Sequence, residues 1–238
     1  MTGKLTGVGI GPGTPDLLTV RAVRAIRAAK TVFVPKGKNG KPGVALTTAG
    51  EYIPETAQVI EMDFPMVSIS GEADRLDEQW HANADIVREA LQNGDGVFLT
   101  LGDPMVYSTY SYIIDFLKSQ GVSTETIPGI TSFCALASRL EIPLTQGEES
   151  LAIVSMTQPD DVIRDIVKMN RNVIVMKASG RNEFLAQLLE ELGLEEQFCR
   201  VSNIGMANET VSSDIEELKG RIPYFSTILI KKEYEFGN

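Results

Sequence analysis

At 238 residues, 43% of them hydrophobic and 23% charged, the chain can bury the core of one large or two small domains. Its 32 acidic residues outnumber 22 basic ones, a formal charge of −10, which argues against a nucleic-acid partner because phosphate-backbone binding needs a basic face. No apolar run approaches the roughly 18 residues of a membrane span, and the start lacks a basic-then-apolar export pattern; the expected setting is the cytoplasm, with no membrane partner. Only Cys134 and Cys199 are present. They lie far apart without zinc-ligand spacing, so two reduced thiols and no protein metal site are expected.

In chain order, an apolar strand near 4–10 runs through Gly7, Gly9, Gly11 and Gly13 into a helix predicted over 15–29, with Thr14 as its cap and Pro15 in its first turn. Gly9, Gly11 and Gly13 can take positive φ and let a planar or anionic ligand approach the main chain. A tight strand-to-helix turn is the alternative. The dinucleotide fingerprint fails: counted from Gly9 and Gly11 the third glycine falls on Thr14, and the second strand, 31–35, ends in Pro35-Lys36 where a ribose-binding acid would stand. No Gly-Lys pair is followed by Ser or Thr, so a Walker loop is absent as well. After that strand, Lys36, Lys38 and Lys41 share a loop without acids. It is either a solvated surface loop or a site for ligand carboxylates, since open α/β sheets bind ligands at the carboxyl ends of their strands.

A helix near 42–50 and a strand near 58–62 follow, then a helix over 71–92 that carries the lone histidine, His81, read as structural or exposed. The strand 96–101 stops at Gly102-Asp103-Pro104 before a helix over 107–120. The strand 124–127 stops at Pro128-Gly129-Ile130-Thr131-Ser132 before a helix over 131–139. This alternation predicts a mostly parallel sheet with helical crossovers over 1–140. Residues 141–150 are polar with Gly and Pro and read as a linker. Strands at 151–155, 172–177, 198–202 and 224–230, with helices near 160–169, 181–192 and 213–219, predict a second, mixed α/β domain over 151–238.

The glycine segment with Leu17-Leu18-Thr19, the Gly102-Asp103-Pro104 strand end, the Pro-Gly-Ile-Thr-Ser turn, the run from Asn203 to Glu209 and Ser226-Thr227-Ile228 together resemble the tetrapyrrole methylases. The resemblance spans nearly the whole chain. It points most closely to the branch that methylates C20 of precorrin-2 or its cobalt-containing equivalent in cobalamin synthesis. It implies two α/β domains enclosing a cleft, S-adenosylmethionine as methyl donor with S-adenosylhomocysteine as product, a tetrapyrrole substrate and a homodimer. Diphthine synthase, a nicotinamide oxidoreductase and a tetrapyrrole-binding module without activity are the other readings.

Carried onto this sequence, the resemblance places the donor against Pro12, Leu101, Gly102, Asp103, Met105, Val106 and Tyr107, against Thr131 and Ser132, and against Met206, Ala207, Thr227 and Ile228. Thr131 and Ser132 open a helix whose free amides attract a carboxylate. Gly11, Gly13, Lys36, Lys38 and Lys41 would face the substrate. Asp103, Lys177 and Tyr224 are the candidates for acid–base work. The competing readings are a turn-closing aspartate, a strand-end lysine that snorkels and a half-buried strand tyrosine.

Overall fold

The computed structural model describes residues 3–37, 42–64 and 73–236, the side chains of 73–77 excepted. The chain forms two compact units, Met1–Thr131 and Ser132–Asn238.

The first unit is a five-stranded sheet of β1 (Leu5–Gly9), β2 (Thr31–Pro35), β3 (Gln58–Met62), β4 (Gly96–Thr100) and β5 (Thr124–Ile127) in the order β3-β2-β4-β1-β5. Every pairing in it is parallel. Its central strands are apolar at consecutive positions because both faces are covered. Val8, Val32, Val34, Val97 and Leu99 pack with Ala22 and Ile26 of α1 (Val20–Ala28) and Ala45 and Ala49 of α2 (Val44–Ala49). The alternate residues Leu5, Phe33 and Phe98 meet Ala84 and Val87 of α3 (Ala73–Ala90) and Tyr110 and Ile113 of α4 (Tyr110–Ser119). That is the period-2 alternation of a strand sorted onto two helical layers.

The helix expected over 15–29 is broken. Residues Pro15–Leu17 form a single 3-10 turn, Leu18 and Thr19 are extended, and α1 starts only at Val20. Thr14 does not cap a helix; its hydroxyl bonds Asp16. Thr19 caps instead, its Oγ1 accepting from Ala22 N at 3.1 Å.

The second unit opens with α5 (Ser132–Leu140) and holds a mixed sheet in the order β6-β7-β10-β8-β9: β6 (Leu151–Ser155), β7 (Asn172–Met176), β10 (Ser226–Lys231), β8 (Phe198–Ser202) and β9 (Thr210–Ser212). β6 and β7 are parallel, while β10 runs antiparallel to both β7 and β8. Val173, Val175, Ile228 and Ile230 face the core shared with Ile163 of α6 (Asp160–Met169), Leu185 and Leu189 of α7 (Asn182–Glu191) and Leu218 of α8 (Ile215–Lys219). On the opposite face, Thr227 Oγ1 donates to Ser132 Oγ at 2.8 Å. This contact explains why α5, read from sequence as the last element of the first domain, counts with the second unit. The short, exposed β9 had no sequence signature.

The end of the irregular 141–150 segment is held to this sheet by a buried cation. Lys231, 7% exposed, donates to Glu149 Oε2 at 3.0 Å and Asn172 Oδ1 at 3.2 Å. Asn172 in turn donates to Glu149 at 3.2 Å and to Ser150 O at 3.1 Å. The Lys231 contact, with help from Gln146 N–H and Asn172, holds the Glu149 carboxyl below its ordinary value of 4.5. A carboxylate depressed in the folded state contributes stability above its unfolded pKa and loses it as pH falls through the folded one. The second unit is therefore expected to lose stability below about pH 4.5, and Glu149→Gln to flatten that acid limb in melts recorded against pH.

Candidate active site

In the first sheet β1 lies between β4 and β5, so the segments leaving the carboxyl ends of these three strands are neighbours. They touch through main chain. Gly11 and Gly102 exchange two hydrogen bonds, Gly102 N to Gly11 O at 2.7 Å and Gly11 N to Gly102 O at 3.3 Å. A Cβ on Gly129 would stand 2.1 Å from Gly102 O and 2.7 Å from Gly9 C; one on Gly9 would stand 2.5 Å from Gly129 N. Gly11 and Gly102 have φ of 76° and 72°, which glycine adopts without the Cβ penalty. Gly9 does not take the positive φ expected of it. It is extended in β1, and its missing Cβ serves the close approach of Gly129. A Cβ on Gly102 would meet nothing within 4 Å, so the main chain there has an open side that a ligand can approach.

Asp103 ties this arrangement together. Its Oδ1 accepts from Met105 N at 2.8 Å and its Oδ2 from Gly129 N at 3.0 Å. The first bond closes an Asx turn; the second joins the β4 and β5 loops. The far end of the β4 loop is pinned by Ser108, whose Oγ lies 2.9 Å from Thr100 Oγ1 and accepts from Tyr110 N at 3.1 Å. Between these anchors Met105 and Tyr107 are 59% and 42% exposed, and Tyr107 holds a φ of 48°. Such backbone strain in a non-glycine residue persists only where the surroundings enforce it. Leu101 is half-buried against the core, Val106 is half-buried, and Pro12 is buried.

In the second unit the pairings Thr227↔Met176 and Ser226↔Ser202 bring the carboxyl ends of β7 and β8 to the start of β10. Lys177, Asn203 and the Tyr224–Phe225 pair gather at this end. Lys177 and Asn203 hold φ of 58° and 53°. Burial pushes the half-buried Lys177 ammonium below its ordinary value. Tyr224 is 42% exposed, with its ring edge-to-face on Phe225 at 5.1 Å. Asn203 N donates to Phe225 O at 2.7 Å and fixes the start of the loop that carries half-buried Met206 and exposed Ala207.

The structure revises several sequence expectations. Asp103, read as an acid–base candidate, has both oxygens engaged by main-chain N–H groups; its geometry is that of a loop tie. Ile228 is fully buried on the face opposite Thr227, its side chain packed in the core. Gly13 has φ 145° and its carbonyl accepts from Thr48 at 3.4 Å. Lys36 is exposed, while Lys38 and Lys41 lie outside the described residues. His81 is exposed with its ring 4.3 Å from that of Phe116, and burial raises the Cys199 thiol to about 11. Among the described residues no group of three His, Cys, Asp or Glu side chains is placed to hold a metal, and no helix is long and apolar enough to cross a membrane. Sequence reading missed Gly129 and Ser108 as parts of the cradle. The signal for Gly129 was its position just past a strand end, as for Gly11 and Gly102, but its meaning depends on which strands are neighbours.

A parallel sheet with a glycine-lined cradle at its strand ends, followed by a mixed sheet with strained and aromatic residues at one end, defines a two-unit α/β protein, and the strand ends of such open sheets are where α/β proteins bind small ligands. The family model of the Tetrapyrrole (Corrin/Porphyrin) Methylases matches residues 4–219. A Salmonella typhimurium protein named cobalt-precorrin-2 C(20)-methyltransferase is 33% identical over the full length of both chains. A Methanocaldococcus jannaschii protein, named a probable cobalt-precorrin-2 C(20)-methyltransferase, is 34% identical over 77% of this chain and 76% of its own. The crystal structure of uroporphyrin-III C-methyl transferase from Thermus thermophilus, complexed with S-adenyl homocysteine, shares the fold with a TM-score of 0.69 at 23% identity, covering 97% of this chain and 98% of that one. The chain belongs to the tetrapyrrole methylase family.

Proposed function

We propose that this chain is an S-adenosylmethionine-dependent C-methyltransferase that methylates C20 of precorrin-2 or its cobalt-containing form in cobalamin biosynthesis. The full-length identity to the Salmonella C20 enzyme carries this reading. The donor fits the residues present: the open side of Gly102, the exposed Met105 and Tyr107, and the Met206–Ala207 segment offer bare main chain and apolar surface of the kind an adenosine and a methionine tail require.

The donor, when bound, supplies an electrophilic methyl group. The work left to the protein is to orient acceptor carbon and donor, worth on the order of 7–11 kcal/mol of barrier when geometry is right, and to assist loss of a proton from the acceptor. Asp103 would act by holding the cradle. Lys177, with its ammonium destabilised by burial, and Tyr224 are our candidates for the proton. Thr131 and Ser132, opening α5, would meet the donor's carboxylate. We also infer that the enzyme works in the cytoplasm as a homodimer, as the resemblance implies; cell fractionation tests the first point and sedimentation the second.

Titration calorimetry with S-adenosylhomocysteine and with NADH, followed by mass spectrometry and NMR of the product formed from precorrin-2 and from its cobalt complex, tests the reading. Binding of S-adenosylhomocysteine alone and one new methyl at C20 are expected. Binding of NADH in its place, or a methyl at another ring carbon, would overturn it. If Lys36, Lys38 and Lys41 meet substrate carboxylates, replacing all three with Gln should raise KM for the tetrapyrrole about tenfold, since exposed ion pairs contribute only ~0.2–1 kcal/mol each. The salt dependence of substrate binding should flatten while donor affinity stays the same. An unchanged KM and salt slope would assign the loop to solvent.

A further inference from the structure

The loop 203–209 is bonded more heavily than its length requires, and one side chain closes it. Met206 N donates to Asn203 O at 2.9 Å, Glu209 N to Met206 O at 3.0 Å, and Asn203 Nδ2 to Asn208 O at 3.3 Å. The Glu209 carboxylate then reaches back across the loop. Its Oε2 accepts from Gly205 N at 2.8 Å, while its Oε1 accepts from Arg139 Nε, in the last turn of α5, at 2.5 Å. Asn203 holds a φ of 53°, a conformation that a non-glycine residue keeps only where its surroundings enforce it, while Gly205 takes a φ of 76° without penalty and leaves the turn free to move unless it is tied. The Glu209 side chain is 20% exposed and that of Arg139 55%.

α5 is a fixed base for such a contact, because its first residue, Ser132, is bonded to Thr227 of the central strand β10. The loop is thus held at two independent points: at its start, by Asn203 N on Phe225 O, and at its end, through Glu209 on Arg139. Nothing in the packing of the core demands the second point. Glu209 and Arg139 lie outside the hydrophobic cluster of this unit, and the charges hold a segment that carries half-buried Met206 and exposed Ala207.

We propose that Glu209 and Arg139 form a positioning clamp that holds the loop 203–208 in the conformation presenting Met206 and Ala207 to the methyl donor. The proposal rests on the donor assignment above. Neither residue touches the reacting atoms; Glu209 acts through the Gly205 amide and Arg139 acts through Glu209. The carboxylate accepts from one main-chain N–H and one guanidinium, the charge-assisted kind of bond that is shorter and stronger than a neutral one. Its loss should be felt in how well the loop is ordered before the ligand arrives, which is a cost on affinity.

The test measures S-adenosylhomocysteine affinity by calorimetry and hydrogen exchange of the unliganded protein for the wild type, Glu209→Ala, Glu209→Gln, Arg139→Ala and the Glu209→Ala/Arg139→Ala pair. Glu209→Ala should weaken binding about tenfold or more and Arg139→Ala about threefold, with Glu209→Gln between them. The pair should be no weaker than Glu209→Ala alone, because the bond from Arg139 to the loop is made to that carboxylate. Amides of the loop should exchange faster in Glu209→Ala while those of β7 and β10 keep wild-type protection, which separates loosening of the loop from loss of the fold. Arg139→Ala, altered at an exposed position, keeps the proposal testable if Glu209→Ala does not fold. Wild-type affinity and wild-type loop exchange in the two single alanine variants would overturn the clamp. Failure of the wild type to bind S-adenosylhomocysteine, read before any substitution, would overturn the donor assignment and the clamp with it.

Discussion

Gly129→Ala is expected to disrupt the first unit, because the new Cβ would stand 2.1 Å from Gly102 O, 2.7 Å from Gly9 C and 2.8 Å from Gly9 Cα. All three are main-chain atoms, and none can swing aside as the end of a flexible side chain would. The loops after β1, β4 and β5 must part, and the Asp103 bond to Gly129 N must lengthen with them. Overpacking of this kind costs about 3 kcal/mol or more, which for a unit of this size lowers the melting temperature on the order of 10 °C. Gly50→Ala is the control in the same unit. Gly50 has helical φ and ψ of −54° and −40°, and a Cβ there would meet nothing within 4 Å, so it should stabilise by about 0.4–1 kcal/mol through the unfolded chain. A Gly129→Ala protein that melts with the wild type would mean that the three loops do not pack as described.

Asp103→Asn is expected to reduce S-adenosylhomocysteine affinity about 10- to 100-fold with the overall fold kept. The carboxylate accepts from two main-chain N–H groups at once, Met105 and Gly129. An amide of the same shape can accept with only one side and must turn its NH2 toward the other N–H. A hydrogen bond to a charged acceptor contributes about 1.5–3 kcal/mol, which is the origin of the range in affinity. The pattern separates two roles. A loop tie predicts that Asp103→Asn and Asp103→Ala lose donor affinity together with turnover, whereas a proton-transfer group predicts loss of kcat at unchanged affinity. Calorimetry beside steady-state kinetics reads the difference, and wild-type affinity in both variants with kcat abolished would return Asp103 to acid–base chemistry.

The contrast between expectation and structure is instructive at Asp103. Its place between Gly102 and Pro104 at a strand end marked it as a site residue from the sequence. What it does there depends on Gly129 N, which lies 26 positions away in the chain and is brought close only because β1 separates β4 from β5. The same holds for Gly9: alternate glycines suggested positive φ, but at this one the missing Cβ answers to a neighbouring loop and the backbone stays extended. Ile228 shows the complementary case. The Ser-Thr-Ile motif placed two adjacent residues at the donor, yet adjacent positions on a strand point to opposite faces, so Thr227 reaches Ser132 while Ile228 enters the core.

By itself the sequence determined the strands of the first sheet, four of the five strands of the second, the parallel pairing of the first and the family, because these follow from local hydrophobic periodicity and from glycine, proline and aspartate motifs that act within a few residues of themselves. The split at Leu18 and Thr19 goes with capping by Thr19 in place of Thr14, and β9 forms by pairing with β8. The tertiary structure decided the strand order, the attachment of α5 to the second sheet, the loop tie of Asp103 and the bond between Glu209 and Arg139. The last three of these join residues from 26 to 95 positions apart. Such contacts have no signature in a local window, since they depend on which faces and ends come together once apolar surface has been buried on both sides of each sheet.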